Sequence, residues 1–240
     1  AKNDDGFTAL YVAIQFGHTA CVQLLLDANA NVETRTNDDW SALEIAADAG
    51  SVEIVQMLLA AKADVKATNE DGWNACMFAA SSGHSECVSE LIRAKADLES
   101  KTVDGWTALL IAADRGHAEC VQIMIDANAD VNSKNDVNNT ALNRAADRGH
   151  PRCLELLLHA NADLEAKNQK GWTALLLAAD EGHTDCVRLL LAANADHTAT
   201  TNKGFTALSR ATKNNHDECV QLLLKASKSP LAKSKRRRHD

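Results

Sequence analysis

A five-residue motif returns every 33 residues along almost the whole of this 240-residue chain. The first copy is Gly6-Phe7-Thr8-Ala9-Leu10, and the later copies begin at Asp39, Gly72, Gly105, Asn138, Gly171 and Gly204. No step between copies contains an insertion or a deletion. A fixed register over seven copies indicates a tandem repeat, and periods of about 20–50 residues are typical of solenoids.

Each copy is predicted to contain two short helices. The first helix follows a residue whose side chain can cap free helical N–H groups. These residues are Thr8, Ser41, Asn74, Thr107, Thr140, Thr173 and Thr206. It ends before a residue that tolerates the left-handed backbone conformation. These residues are Gly17, Gly50, Gly83, Gly116, Gly149, Gly182 and Asn215. The second helix carries an apolar face at helical spacing, as in Cys21, Val22, Leu25 and Leu26.

One such unit cannot bury its own apolar face, so neighbouring units must stack and share their cores. The sequence therefore predicts an all-α repeat solenoid that forms one elongated domain. A 33-residue helix–turn–helix unit with a G-x-T-x-L start and a G-H-x-x-x-V middle resembles the ankyrin repeat. The resemblance extends from residue 1 to about residue 227 and implies stacked helix-turn-helix units with β-hairpin fingers between them. The predicted repeats are 1–33, 34–66, 67–99, 100–132, 133–165, 166–198 and 199–227, followed by a basic tail, 228–240.

Two departures from the ankyrin pattern concern local geometry. The family's T-P-L-H has neither its Pro nor its His in any copy, so the His-to-Thr hydrogen bond of the family is absent. The usual Gly after the second helix is replaced by other residues, two of which are lysines that we expect to cost some strain. The residues at this position are Asn29, Lys62, Lys95, Asn128, Asn161, Asn194 and Ser227.

The resemblance also implies a binding face, because ankyrin arrays usually bind proteins on the concave side formed by fingers and first helices. Carried over by position, it gives an aromatic row with one residue per repeat, spaced roughly 10 Å apart. The aromatic row is Phe7, Trp40, Trp73, Trp106, Asn139, Trp172 and Phe205. Charged residues at the first-helix ends accompany it: Asp48, Asp114, Arg115, Asp147, Arg148, Asp180 and Glu181. Aromatic and acidic residues together suit an extended segment that carries Arg or Lys.

The same residues also allow purely structural interpretations. The tryptophans can pack against the next finger and only stiffen the array, and the aspartates can form a solvated face. Packing and ligand contact can also coexist, because tryptophan is rarely buried completely.

Repeated cysteine and histidine residues raise the question of metal or catalytic chemistry. Six cysteines recur at one position, where Ile54 fills the missing slot, and this indicates a small buried side chain. Free buried thiols favour a reducing, cytoplasmic location. The repeated histidines, such as His84, supply too few ligands for structural zinc and are assigned a capping or loop-bridging role. We find no phosphate loop, nucleophile elbow or isolated carboxylate pair, so the sequence predicts no cofactor and no enzyme.

The net charge of −8 conceals an acidic body and a basic end. Without the seven cations and one acid from Lys225 onward, 18 basic and 32 acidic residues remain, a net charge of −14. Such a body favours basic partners and disfavours nucleic acid, except through the tail. The Lys233–Arg238 cluster resembles a nuclear-import signal, although a solubilising tail is the simpler interpretation. No apolar run approaches the length of a membrane span.

The apolar first repeat and the finger-like start, Ala1-Lys2-Asn3, suggest a cut inside a longer array or a face for self-association; otherwise we expect a monomer. The leading hypothesis is a non-catalytic module that binds a protein or an extended peptide. An engineered or consensus-like scaffold without a natural ligand, and a structural spacer, remain alternatives.

Overall fold

The computed structural model describes residues 2–3 and 6–228, and within them it contains fourteen α-helices arranged as seven pairs. The first helices are α1 (Ala9–Gln15), α3 (Ala42–Asp48), α5 (Ala75–Ser82), α7 (Ala108–Arg115), α9 (Ala141–Arg148), α11 (Ala174–Glu181) and α13 (Ala207–Lys213). The second helices are α2 (Thr19–Asp27), α4 (Val52–Ala60), α6 (Ser85–Arg93), α8 (Ala118–Asp126), α10 (Pro151–His159), α12 (Thr184–Ala192) and α14 (Asp217–Lys228). The prediction of an all-α array of helix pairs is confirmed.

The helices belong to two compact units. The first unit comprises Ala1–Ala112 and Glu119–Asp130, and the second comprises Ala113–Ala118 and Val131–Asp240. Within the first unit, α1, α3 and α5 pack side by side, and α2, α4 and α6 form a second layer. Within the second unit, α9, α11 and α13 form one layer and α10, α12 and α14 form the other. Each core lies between its two layers, as stacking of incomplete units requires.

The predicted starts of the first helices are confirmed in all seven repeats. In each repeat the capping side chain accepts a hydrogen bond from the backbone N–H three residues later, over 3.0–3.4 Å. The residue two positions beyond each first helix, or directly after it, adopts the left-handed conformation that was predicted. The local signals therefore place both ends of every first helix.

In six of the seven repeats the predicted left-handed residue lies two positions after the last residue of the second helix. Asn29, Asn128, Asn161 and Asn194 have φ angles of 57–67°, and the lysines at the same position are also left-handed. Ser227 differs from the expectation, because it lies inside α14, which continues to Lys228. The predicted tail, apart from Lys228, lies outside the described residues.

Replacing a left-handed lysine is expected to stabilise the protein. Lys62 has a φ angle of 66° and Lys95 one of 68°, and neither has the short side chain that makes this conformation tolerable for asparagine. We expect Lys95→Asn to raise the free energy of unfolding by about 0.5–1 kcal/mol in urea denaturation. Lys101→Asn, a change in a finger, is the matched control. An equal gain there would assign the effect to charge and not to backbone conformation.

Position 11 of the repeat, where ankyrin repeats carry His, holds buried polar groups in two repeats. Asn143 is fully buried, and its amide nitrogen donates to the carbonyl oxygens of Ala166 and Trp172 over 3.3 and 3.2 Å. Its amide oxygen accepts from the Thr140 hydroxyl at 2.6 Å. An amide therefore ties one repeat to the backbone of the next in the absence of the family's His.

In the second repeat the same position holds Glu44, which is 1% exposed. Glu44 closes a capping box, because its Oε2 accepts from the backbone N–H of Ser41 at 2.8 Å. A guanidinium nitrogen of Arg35 lies 3.6 Å from the same oxygen. Among the residues described, Glu44 Oε1 has no hydrogen-bond partner. Burial raises the pKa of Glu44 above its ordinary value despite the capping bonds and Arg35.

This raised pKa makes stability depend on pH in a defined direction. The folded state favours the protonated carboxyl, so the contribution of Glu44 is greatest below its unfolded pKa of about 4.3 and falls as pH rises through the folded pKa. Glu44→Gln removes that fall and keeps the acceptor for Ser41. We expect the stability of the variant relative to wild type to improve as the pH rises from 4 to 7, measured by urea denaturation. An equal change in the exposed-site control Glu70→Gln would contradict the burial argument.

Candidate functional site

The fingers hold the aromatic row by one repeated hydrogen-bond pattern. In the third repeat the backbone N–H of Asn69 donates to the carbonyl of Trp73 at 2.9 Å, and the Asn69 side-chain oxygen accepts from the Trp73 N–H at 2.8 Å. The equivalent residues in all seven fingers are Asn3, Thr36, Asn69, Thr102, Asn135, Asn168 and Thr201. The predicted β-hairpin fingers are therefore tight turns, and within the described ranges the only β-bridges outside strands are Thr68–Asn74 and Thr200–Thr206.

In the first unit the row combines packing with accessible surface. Phe7, Trp40, Trp73 and Trp106 are all half-buried. The rings of Trp40 and Trp73 both pack against Phe78 from α5, with ring centroids 4.3 and 5.1 Å from it. Phe7 stacks on Tyr11 of α1 at 4.2 Å. Phe7, Trp40 and Trp73 thus each pack against another ring, while part of their surface remains accessible.

In the second unit the row is less uniform. Asn139 is 8% exposed, and its amide oxygen accepts from the side chain of Asn168 at 3.0 Å, so it offers little surface. Trp172 is half-buried and Phe205 is exposed. The guanidinium carbon of Arg210 lies 5.5 Å from the ring centroid of each of them. A cation of the chain itself therefore covers this pair of rings.

The predicted acidic residues of the second unit bind cations of their own chain. Asp114 accepts from Arg144 Nε at 2.9 Å and Nη2 at 2.5 Å, and Arg148 Nε lies 3.1 Å away. Arg144 Nη1 also donates to Asp147 at 2.8 Å. Asp180 accepts from Arg210 Nε at 2.5 Å. Much of the charge of these three aspartates is thus satisfied within the molecule.

The remaining predicted residues are more open. Arg115, Arg148 and Glu181 are exposed in the second unit. Asp48, in the first unit, is exposed, and one of its oxygens accepts from the Ser82 hydroxyl at 2.8 Å. Of the four aspartates in the predicted set, Asp48 is the one with no ion pair among the described residues.

Two further sets of residues were missed at the sequence level. The first is the helix position five residues after the aromatic row, where Phe78, Arg144 and Arg210 meet the rings or the aspartates. The second is the finger tips, which are acidic and exposed in the first unit at Asp38, Asp71 and Asp104. Aligning the copies at the 33-residue period reveals the finger-tip set, because its position holds Asp in the early repeats and Val137, Lys170 and Lys203 in the later ones. The helix position varies without a trend, so the alignment alone does not reveal it.

The repeated histidines bridge neighbouring repeats, so of the two predicted roles the bridging one is confirmed. The capping role is wrong, because the side chains of His18, His84, His150 and His183 make no capping hydrogen bond to the second helix. His84 Nε2 lies 2.9 Å from the carbonyl oxygen of Asp48, and the same bond recurs for His150, His183 and His216 at 2.9–3.0 Å. Each of these rings packs against a glycine of the preceding repeat. Their hydrogen bonds are therefore structural.

The cysteines are free, and all except the exposed Cys21 are buried. Burial raises the pKa of Cys76 to about 12 and that of Cys153 to about 11, so both thiols stay protonated and unreactive at neutral pH. No group of three His, Cys, Asp or Glu side chains that could hold a metal occurs in the described part of the chain. None of the helices in that part is long and apolar enough to cross a membrane.

Comparison with known proteins identifies relatives of this fold. The family model for ankyrin repeats matches residues 1–69, 61–135 and 142–234. The crystal structure of the human ASB11 ankyrin repeat domain superposes with a TM-score of 0.84 at 25% identity, covering 93% of this chain and 100% of that one. The ankyrin repeat domain of Bcl-3, a member of the IkappaB family, gives a TM-score of 0.78 at 24% identity, with coverages of 92% and 100%. No curated protein sequence matches the chain.

Proposed function

This chain belongs to the ankyrin repeat family, and from that premise we propose that it is a non-catalytic module that binds a partner protein or an extended peptide through its fingers and first helices. Ankyrin repeat domains are generally protein–protein interaction modules. The proposal assigns the contact to the aromatic row and the first-helix ends. We place this binding in the reducing environment of the cytoplasm, because six buried cysteines are free thiols.

The observation that carries the proposal is the half-burial of three consecutive tryptophans in the first unit. Trp40 and Trp73 are supported from behind by Phe78, which fixes their rings at little further entropic cost on binding. Tryptophan is enriched at binding hot spots.

The charge of the first unit indicates the kind of partner. Exposed carboxylates at Asp38, Asp71 and Asp104 lie at the finger tips, and Asp48 lies at the end of a first helix. Negative potential beside exposed rings favours a basic segment, through both steering and direct contact. We expect the bound segment of the partner to be extended, because an extended peptide presents its side chains at regular intervals and the row offers one position per repeat.

The test is a double substitution in the row with a matched control on the opposite layer. Trp73→Ala with Trp106→Ala is expected to weaken capture of the partner by about 2 kcal/mol or more. Leu24→Ala removes another exposed apolar side chain, on a second helix, and is expected to leave capture unchanged. Binding is measured well below the unfolding temperature of each variant, so that the loss of Trp73–Phe78 packing does not enter the comparison.

Two results would contradict the proposal. If the double variant lost stability and still captured the same partner with unchanged affinity, the row would have only the stiffening role of a structural spacer. If Leu24→Ala weakened capture as much as the tryptophan changes, the binding face would be the second-helix layer.

A further inference from the structure

We propose that the groove between the first helices of the first and second repeats binds the guanidinium group of an arginine side chain from the partner. This inference rests on the proposed binding function and specifies the chemistry of one contact. The groove has a volume of about 260 Å³. Its walls are Tyr11, Gln15, Trp40, Ile45, Asp48 and Ala49.

The chain itself shows what fits at this place in the repeat. Arg210, which lies five repeats after Ile45 at the same position, places its guanidinium 5.5 Å from two rings of the aromatic row and bonds Asp180. The Arg210 side chain is 17% exposed, so the planar group is well enclosed. Rings and a carboxylate thus form a guanidinium site within the second unit.

In the fifth repeat an arginine at the same position is bound by two aspartates. Arg144 also occupies the position of Ile45, and its Nη1 donates to Asp147, three residues later, at 2.8 Å. Asp48 stands three residues after Ile45 in the same relation. A guanidinium group placed beside Ile45 would therefore have Asp48 in the same relative position that Asp147 has to Arg144.

In the second repeat an isoleucine replaces the internal arginine, and its surroundings are kept only in part: Trp40 corresponds to Phe205 and Asp48 to Asp147. Gln15 stands where Asp180 and Asp114 bind the arginines of the second unit. Ile45 is 8% exposed and has no charged group to reach the aromatic walls. Tyr11 and Trp40 line the groove, Gln15 can supply an amide oxygen, and the Asp48 carboxylate has acceptor capacity beyond its bond to Ser82. The groove thus offers a ring, an amide oxygen and a carboxylate at a repeat position where two other repeats hold an arginine.

Electrostatics point the same way. The pKa of the Tyr11 hydroxyl is raised, first by burial and then by the negative charge of Asp38 on the neighbouring finger. The field of Asp38 therefore reaches the wall of the groove, and Asp48 adds a second negative charge at its rim. Arginine suits such a site better than lysine, because its planar guanidinium stacks on rings and loses less hydration energy.

The test uses a defined probe in place of the natural partner. The blocked peptide acetyl-Gly-Ser-Arg-Ser-Gly-amide is titrated into the full chain labelled with ¹⁵N, and the four tryptophan indole N–H signals are followed by NMR. Trp40→Phe identifies the signal of Trp40. The same peptide with citrulline, which keeps the shape and lacks the charge, is the matched ligand. We expect the Trp40 signal to shift with the arginine peptide and the citrulline peptide to bind at least about five-fold more weakly.

Three variants locate the site. Ile45→Arg supplies the arginine from within, as in the fifth and seventh repeats, and should abolish the shift of Trp40 by the peptide. Leu177→Arg makes the same type of change at the same repeat position in the second unit and should leave peptide binding unchanged. Asp48→Asn keeps the acceptor for Ser82 and should reduce the preference for arginine over citrulline by about five-fold; it also serves as the test if Ile45→Arg does not fold.

Equal binding of the arginine and citrulline peptides would overturn the assignment, as would full arginine binding in both Ile45→Arg and Asp48→Asn. These outcomes are separable from failure of the proposed function. A chain that captures its partner through the tryptophans and shows no arginine preference refutes only the groove. A chain that shows the arginine preference, but whose partner capture survives Trp73→Ala with Trp106→Ala, refutes only the assigned role of the row.

Discussion

Substituting alanine for Gly50 is expected to destabilise the first unit by about 2–4 kcal/mol, whereas the same change at Gly17 should cost only about 1–2 kcal/mol. Both glycines have positive φ angles, 68° and 66°, so both substitutions impose the strain of a left-handed alanine. At Gly50 the new Cβ would also lie 2.5 Å from Nδ1 of His84, while nothing lies within 4 Å at Gly17. The difference between the two variants therefore measures the packing of one repeat against the next.

A double-mutant cycle separates the steric part from the strain. The His84 ring cannot move away freely, because its Nε2 is bonded to the Asp48 carbonyl. In a His84→Ala background the alanine at residue 50 meets no ring, and its cost should fall to that of Gly17→Ala. Urea denaturation of the four proteins in the cycle gives the coupling energy. Equal costs at Gly17 and Gly50 would mean that the histidine bridge carries no packing energy.

Most of the fold could be predicted because its determinants are local and recur. A capping residue such as Thr140 and a left-handed residue such as Gly149 fix the ends of a helix without reference to the rest of the chain. The 33-residue register then requires identical units to stack. Even the structural role of the histidines followed from their place just before each second helix.

The details of the candidate site were harder to predict, because they depend on contacts between repeats. Whether Asp114 is a free acid or an internal ion pair depends on Arg144, which lies 30 residues away and is not part of the motif. The burial of Asn139 likewise depends on Asn168 of the following finger. Ser227 was also predicted wrongly from its position in the repeat, because α14 continues through it, whereas the equivalent residues of six earlier repeats are left-handed. Position within one repeat predicts backbone geometry, but the residues of the neighbouring repeat decide what remains exposed.

Removal of the guanidinium of Arg144 is expected to cost about 2–3 kcal/mol of unfolding free energy. The Arg144 side chain is 13% exposed, and it separates Asp114 and Asp147, which are 15% and 22% exposed. Arg144→Leu is sterically acceptable, because Leu177 occupies the same position in the next repeat. It would leave Asp147 without its ion pair to Arg144 and Asp114 with only the exposed Arg148, and the cost arises mainly from those charges. Arg148→Leu is the matched control, since that side chain is 55% exposed and its ion pair should contribute less than about 1 kcal/mol.

A second experiment on Arg144, Asp114 and Asp147 separates the effect of charge from that of packing. If the loss in Arg144→Leu comes from uncompensated carboxylates, then adding Asp114→Asn and Asp147→Asn should restore most of the lost stability, although two further side chains have been changed. If it comes from lost packing of the arginine stem, the triple variant should be at least as unstable as Arg144→Leu. Chemical denaturation at low and high salt adds a check, because a partly buried network is screened less than a surface pair. Recovery in the triple variant would show that the second unit tolerates its acidic first-helix ends only because the chain supplies their cations.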